Sequence, residues 1–215
     1  MKTKGRLNGF PFFCFKETLI EYTQLNTSLY PLTYLGSVNR LLMSIGEAPV
    51  NSIGVGLSES RLAQITLDNV SREVQKRGWW FNTEVMTIHP NNENVLQLPH
   101  NTRSLNSGGR RYVMRYGQVY DKHHNTYKFT QSMPFELVLA LEWDALPETA
   151  RALITAKAAM RFQSETLGSA QVNNELATEA NMALMELNEE ETEAVSYNIF
   201  ENANLMQDAY MYRRR

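Results

Sequence analysis

Residues 74–88 read VQKRGWWFNTEVMTI, and within them a helical pattern gives way to a strand pattern. Apolar residues recur at helical spacing up to Val74, and Gly78 suits a helix end because glycine accepts the left-handed conformation. The aromatic run from Trp79 to Phe81 and the β-branched residues that follow it favour strands. The chain is therefore predicted to combine helices with a separate β region, which is the α+β class.

Two helices are predicted before this junction, over Thr33–Ile45 and Glu59–Lys76. Gly46 ends the first helix, and Ser58 is a suitable N-cap for the second. Each helix has apolar residues at every third or fourth position, which is the spacing of one buried face. These residues are Leu35, Val38, Leu41, Leu42 and Ile45 in the first helix, and Ala63, Leu67, Val70 and Val74 in the second.

The middle of the chain is predicted to form short antiparallel strands joined as a meander. Its segments are rich in aromatic and β-branched residues, and Asn and Gly residues between them suit turns. No connection is long and helical enough for a parallel crossover. The predicted strands are Trp80–Ile88, Tyr112–Tyr116, Val119–Tyr120, Tyr127–Phe129 and Leu137–Glu142.

Two more helices are predicted after the β region, from Pro147 to Glu165 and from Ser169 to Val195. Proline is common at the first helical position, and Gly168 separates the two helices. The organisation expected from these patterns is an antiparallel helical bundle with an inserted small antiparallel β region and flexible arms at both termini. Its parts are an N-terminal extension (1–32), the bundle (33–78 and 147–195), the β region (79–146) and a C-terminal arm (196–215).

The composition of the 215-residue chain excludes several classes of protein. Apolar residues make up 43% and charged residues 20%, which predicts a packed core rather than disorder. The net charge of −2 argues against a general nucleic-acid coat. Cys14 is the single cysteine, so no intramolecular disulfide can form. No apolar stretch approaches the roughly 18 to 20 residues of a membrane span, and no membrane association is expected.

The sequence predicts no cofactor, no metal ion and no catalytic residue. It contains neither a phosphate-binding glycine motif nor the nucleophile elbow of the hydrolases. His123 and His124 are adjacent, so on a strand their rings would point to opposite faces and could not share an ion.

Paired carboxylates leave one enzymatic alternative open, a carbohydrate-active protein of the glycoside hydrolase type. Such an enzyme needs two Asp or Glu side chains at a fixed separation, and Trp143 could stack on a sugar. On an unbroken strand, Glu136 and Glu142 would share one face. Carboxylates near a helix start are also explained by the positive end of the helix, without catalysis. The candidates are Glu136, Glu142, Asp144 and Glu148.

Two charged segments near the C-terminus are candidate interaction surfaces. An acidic block is either a solvated helix face or a wall that repels passing DNA by like charge. An Arg- and Tyr-rich end could instead grip an acidic protein groove, because both residue types are enriched at interface hot spots. The acidic block is Glu186, Glu189, Glu190, Glu191 and Glu193, and the basic end is Tyr210, Tyr212, Arg213, Arg214 and Arg215.

Four strings of the sequence together cover most of residues 33–195. They are VNRLLMSIGEAPV (38–50), RGWWFN (77–82), GQVYD (117–121) and LPE through ITAKAAMRFQ (146–163). In their order and spacing these strings resemble the tail tubular protein A family of short-tailed phages.

The resemblance implies a structural virion protein, the adaptor or gatekeeper between head and tail. Members form a dodecameric ring below the portal, bridge it to the hexameric nozzle (tail tubular protein B-like), help seat the tail fibres, and let DNA pass through the ring. It places the protein in the virion tail after assembly in the host bacterial cytoplasm. It also implies that the helices and C-terminal arm engage the portal, and that the β region engages nozzle and fibres.

The resemblance implies that a twelvefold ring must fit a sixfold nozzle. The match requires one flexible or two-state element, for which the Asn-, Ser- and Gly-rich segment Asn101–Gly109 is the candidate.

Trp79, Trp80 and Phe81 are expected to pack the sheet against the bundle. Interface ion pairs or plain solvated charges are the two interpretations left open for Arg77, Arg161 and Asp121.

Overall fold

The computed structural model describes residues 31–53, 58–107, 109 and 111–201. It contains four helices, which are α1 (Tyr34–Ser44), α2 (Ser58–Lys76), α3 (Glu148–Thr166) and α4 (Ala170–Glu201). It also contains five strands, which are β1 (Thr83–Ile88), β2 (Thr102–Asn106), β3 (Tyr112–Arg115), β4 (Gln118–Asp121) and β5 (Met133–Leu139). The predicted α+β class is confirmed. The arms expected at 1–32 and 196–215 lie largely outside the described residues.

All four predicted helices are present, with ends shifted by a few residues. Helix α1 begins after Thr33, whose hydroxyl accepts a hydrogen bond from the Gly36 N–H at 3.0 Å. It ends where Gly46 adopts a φ of 82°. Pro147 is the N-cap of α3 rather than its first helical residue. Helix α4 continues to Glu201, six residues beyond the predicted end at Val195.

Helix α3 is central, because it packs against each of the other three helices. Its many alanines allow neighbouring backbones to approach closely on several sides. The apolar stripe predicted for α2 is fully buried, whereas Leu35 and Ile45 of the stripe predicted for α1 are only half-buried. The helical core consists of Val38, Leu41, Leu42, Ala63, Leu67, Val70, Val74, Leu153, Ile154, Ala158, Phe162, Leu176 and Leu187, together with Trp79.

The strands are all antiparallel, as predicted, but they do not form a meander. Strand β5 lies between β1 and β2 in a three-stranded sheet, and β3 pairs with β4 as a separate hairpin. A second apolar core lies in this region, around Leu96, Val119, Phe135 and Leu137. The last strand in sequence therefore closes the sheet by pairing with both of the first two.

Four predictions about the β region are wrong. The segment expected to be a flexible loop, Asn101–Gly109, contains strand β2 and is paired with β5. Trp80 and Phe81 lie in a turn before β1. Tyr127–Phe129 is not a strand and forms one isolated bridge, between Lys128 and Val95. Strand β5 ends at Leu139, so Glu142 does not share a strand face with Glu136.

Two buried amide side chains join helix α2 to the strand β5 and its C-terminal extension. The Asn82 amide donates 2.9 Å hydrogen bonds to the carbonyls of Gln75 and Leu139 and accepts one from the Trp79 N–H at 2.8 Å. The Gln75 side chain accepts from the Leu141 N–H at 2.7 Å and donates to its carbonyl at 3.2 Å. Asn82 is 0% and Gln75 4% exposed. The connection between helices and sheet is thus polar as well as aromatic.

Candidate interaction surfaces

The predicted partner-binding residues at the C-terminus, Tyr210, Tyr212, Arg213, Arg214 and Arg215, lie outside the described residues. Their role remains a prediction. Helix α4, which leads towards them, carries eight carboxylates and neither Lys nor Arg. The surface of α4 is therefore strongly acidic in a chain whose net charge is only −2.

The structure divides the predicted acidic block into two groups. Glu186, Glu189 and Glu193 are exposed and recur at helical spacing, so they form one acidic face of α4. Glu190 and Glu191 are half-buried and point to other elements. Glu190 accepts a hydrogen bond from the Thr149 hydroxyl at 2.7 Å, and Glu191 accepts one from the Trp80 N–H at 2.9 Å. Only the first three carboxylates are free to present charge outward.

A concave, mainly apolar groove lies between α1, α3 and α4. Met43 and Met182 line it and are 58% and 60% exposed. The guanidinium of Arg40 forms a 2.7 Å ion pair with Glu179, and both residues line the groove. This pair is solvent-exposed and contributes little to stability. Glu186 lines the same groove, so the apolar surface adjoins the acidic face of α4.

The four carboxylates of the enzymatic alternative are not gathered in one cleft. Glu136 and Glu191 line a cleft beside Trp80, whereas Glu142 lines another with Tyr34 and Asp68. Glu148 accepts the backbone N–H of Leu32 at 2.9 and 3.0 Å, and Asp144 is exposed beside the short 3₁₀ helix Trp143–Ala145. Glu136 and Glu142, the pair expected to share a strand face, therefore line different clefts.

The cleft of Glu142 contains a tyrosine that is held protonated. The Tyr34 hydroxyl donates to Asp68 at 2.8 Å. Burial, followed by this hydrogen bond, raises the pKa of Tyr34 well above its ordinary value. Its ring meets that of Trp143 edge-on, with centroids 5.6 Å apart. The hydroxyl therefore fixes α1 against α2 and is a poor general acid or base near neutral pH.

The charges considered as interface ion pairs all have partners within the chain. Arg161 forms a 2.8 Å pair with Glu73, and the Arg77 guanidinium lies 4.3 Å from the centroid of the Trp79 ring. Asp121 is 3% exposed and accepts three hydrogen bonds from Arg111, at 2.7, 3.1 and 3.3 Å. The interpretation of Asp121 as a solvated charge is therefore wrong.

Asp121 organises the turn that follows the β3–β4 hairpin. The hydrogen bonds from Arg111 lower the pKa of its carboxyl well below the ordinary range, against the opposing effect of burial. The His124 side chain and the backbone N–H groups of His123 and His124 lower it further. Nδ1 of His124 lies 2.9 Å from the carboxylate. The two histidines are in this turn, not on a strand, and their rings meet edge-on.

Sequence reasoning missed the two residues that connect the helices to the sheet, Gln75 and Asn82. A polar residue interrupting the apolar pattern at a helix end gives only a weak signal, since most such residues are solvated. Asn82 directly follows the aromatic run. Its position shortly after Gly78, where the helix ends and the strands begin, was the only sign in the sequence of a structural role.

The described residues contain neither a cluster of metal ligands nor a helix suited to a membrane. Within them, no group of three or more His, Cys, Asp or Glu side chains is arranged to hold a metal ion. None of the helices α1 to α4, as far as they are described, is long and apolar enough to cross a bilayer.

Comparison with known proteins gives two matches. A family model described as tail tubular protein matches residues 35–197. The protein named tail tubular protein A of Klebsiella phage KP34 is 27% identical over 118 residues. That alignment covers 54% of this chain and 63% of the relative, so the matched part spans less than two-thirds of the relative's length.

Proposed function

Because this chain belongs to the tail tubular protein family, we propose that it is the adaptor that joins the portal to the tail nozzle in the virion of a short-tailed phage. The family match over residues 35–197, which covers every described strand and all but the first residue of α1 and the last four of α4, is the observation that carries this proposal. The family consists of structural tail components, and the proposal assigns no catalytic residue. The protein assembles in the host bacterial cytoplasm and acts in the tail.

In this proposal the four helices form the bundle and the β region is an insertion into it. The helices and the segment after Glu201 face the portal, and the strands face the nozzle and the tail fibres. The separate apolar cores of the two regions support this division. The Gln75 and Asn82 hydrogen bonds hold the helices rigidly against the strands, so that a displacement at the portal side is transmitted to the nozzle side.

The subunits form a dodecameric ring. Identical head-to-tail contacts close a ring only when each subunit carries two different complementary surfaces. The uneven charge of this chain supports such a design, because the acidic surface of α4 differs sharply from the rest of the molecule.

Glu186, Glu189 and Glu193 face the channel through which DNA passes. Their exposure and shared helix face support this placement. Carboxylates on a channel wall repel phosphates and keep the duplex from adhering during ejection. Glu190 and Glu191 do not contribute, because their side chains are hydrogen-bonded within the chain.

The decisive experiment measures the light-scattering mass of the protein, first alone and then mixed with the portal of the same phage. We expect the portal complex to gain a mass of twelve subunits. The matched control replaces the portal with that of an unrelated phage, to which no mass should be added. A protein that leaves the mass of its own portal unchanged would refute the adaptor role.

A further inference from the structure

The β3–β4 hairpin is closed by a two-residue turn in which a tyrosine adopts an unfavourable conformation. Tyr116 and Gly117 have φ values of 54° and 70°, and the flanking Arg115 and Gln118 are directly paired. Positive φ at both positions is the pattern of a type I′ turn, for which Asn-Gly is strongly preferred. A bulky aromatic residue at the first position is strained.

The side chain of Tyr116 gains nothing from the fold that offsets this strain. It is 92% exposed, the highest exposure among the large apolar and aromatic side chains in the described part of the chain. The conformation therefore costs stability, and the exposed ring contributes no burial energy to offset that cost. Strain that persists without an internal benefit indicates a function at that position.

Hydrogen bonds with residues 96–98 hold the turn in place, while the Tyr116 side chain projects into solvent. The Gly117 carbonyl accepts hydrogen bonds from the Leu98 N–H at 2.9 Å and from the Gln97 side chain at 3.0 Å. Two residues further along, the Val119 N–H donates to the Leu96 carbonyl at 3.0 Å. A fixed projection loses little conformational entropy when it binds, so this tip is preorganised for a contact.

The neighbours of Tyr116 match the composition of a protein–protein hot spot. Met114 is 36% exposed, and the Arg115 guanidinium lies 4.1 Å from the centroid of the Tyr120 ring. Tyr, Arg and Met are all enriched in the centres of interfaces. The hairpin's carboxylate, Asp121, is buried and paired with Arg111, so the charge that the tip presents is positive.

We propose that the tip of the β3–β4 hairpin is a docking point for the nozzle protein, with the Tyr116 ring inserted into a pocket on an acidic surface. This inference rests on the proposed function for the identity of the partner, and it adds which residues make the contact. Nucleic acid fits less well, since its binding draws affinity from several Lys and Arg side chains that neutralise phosphates. Arg111 is already paired with Asp121, and Arg115 lies over a ring.

The test compares the full-length protein with Tyr116→Asn in a pull-down and titration with purified nozzle protein of the same phage. Asn-Gly is the preferred type I′ pair, so this substitution relieves the strain, and the unfolding temperature should stay the same or rise. Binding to the nozzle should nevertheless weaken about tenfold or more, as for other hot-spot aromatics. Tyr116→Phe keeps the ring and should retain binding. Leu62→Gln, which alters a side chain that is 55% exposed on helix α2, is the matched control and should also bind normally, because the helices are not proposed to contact the nozzle.

Each outcome decides a different point. Equal binding by the wild-type protein and Tyr116→Asn overturns the docking tip and leaves the adaptor role standing. A wild-type protein that does not bind the nozzle overturns the nozzle contact of the proposed function and this inference with it. Retention of a short duplex DNA that is lost in Tyr116→Asn overturns the assignment of a protein partner.

Discussion

The side-chain amide of Asn82 donates a 2.9 Å hydrogen bond to the Leu139 carbonyl, and the Leu139 N–H donates a 2.8 Å bond to the Asn82 carbonyl. This reciprocal pair ties the turn after α2 to the last residue of β5. The same Asn82 amide also holds the Gln75 carbonyl in the last turn of α2. One buried side chain thus connects the end of a helix, the turn and a strand that lies 57 residues away in sequence.

Replacing Asn82 with Ala should destabilise the protein by about 2–4 kcal/mol, because buried polar partners are left without their hydrogen bonds. These partners are the Gln75 and Leu139 carbonyls and the Trp79 N–H. The free energy of unfolding in urea measures the effect. Asn92→Ala, at an exposed position, is the control and should change stability by less than about 0.5 kcal/mol. Equal stability of the two variants would show that the Asn82 contacts contribute little.

Two glycines that follow helices allow the cost of backbone strain to be compared with the cost of a steric clash. Gly46 follows α1, and Gly78 follows α2 at the junction with the strands. Gly78 and Gly46 both have positive φ, 77° and 82°. A Cβ at Gly78 would lie 2.9 Å from Cγ2 of Val138, whereas a Cβ at Gly46 would meet nothing within 4 Å. Gly46→Ala should cost about 1 kcal/mol from backbone strain. Gly78→Ala should cost a further 1–3 kcal/mol or so from overpacking against β5. Thermal unfolding compares the two, and equal costs would contradict the clash.

The sequence was sufficient to predict the helices because their signals are local and repeated. Leu67, Val70 and Val74 in α2 follow a period that only a helix satisfies, and all are buried. Gly78 marked the change to strands for a local reason as well, its positive φ. Burial of Trp79 in the helical core was likewise foreseen, since a large aromatic at a junction seldom stays exposed.

The errors lie where long-range pairing decides the structure. Strand β2, residues Thr102–Asn106, has the polar composition of a loop and becomes a strand because β5 offers it a hydrogen-bonding edge. The separation of Glu190 and Glu191 from the outward acidic face depends on Thr149 and Trp80, which are distant in sequence. The pairing of β2 with β5 therefore argues against the prediction that Asn101–Gly109 is a flexible loop.

Acid should destabilise the wild-type protein more than an Asp121→Asn variant. Because Arg111 lowers the folded pKa of Asp121, the ionised carboxylate stabilises the fold at pH values above its unfolded pKa of about 4. As the pH falls through the interval from there to the folded value, the unfolded state binds more protons and this stabilisation is lost. Near neutral pH, Asp121→Asn should be less stable than the wild type.

Urea unfolding midpoints measured from about pH 7 down to about pH 3 provide the check. The wild-type midpoint should fall more steeply below about pH 4 than that of Asp121→Asn, so the difference between them should shrink. Parallel curves for the two proteins would contradict a depressed Asp121 pKa.

Reversing the acidic face of α4 should slow DNA passage if that face lines the channel. In Glu186→Lys, Glu189→Lys, Glu193→Lys virions, attraction to phosphates would replace repulsion. We expect slower ejection in vitro, and the delay should diminish as salt is raised because the contacts are electrostatic. The control reverses exposed carboxylates of the β region, Glu84 and Glu93, and should eject normally. If the triple variant ejects DNA at the wild-type rate, this face of α4 does not line the channel.

Truncation after Glu201 should weaken portal binding without loss of the fold. The helix α4 ends at Glu201, so the cut removes no described element and leaves the buried contacts of Leu176 and Leu187 intact. It does remove Tyr210, Tyr212, Arg213, Arg214 and Arg215, a set suited to an acidic groove on the portal. We expect unchanged thermal unfolding and at least about tenfold weaker binding to the portal by titration. A variant that keeps this segment but changes the three terminal arginines to Gln separates charge from length. If binding survives truncation at full strength, the portal contact must lie on the helices themselves.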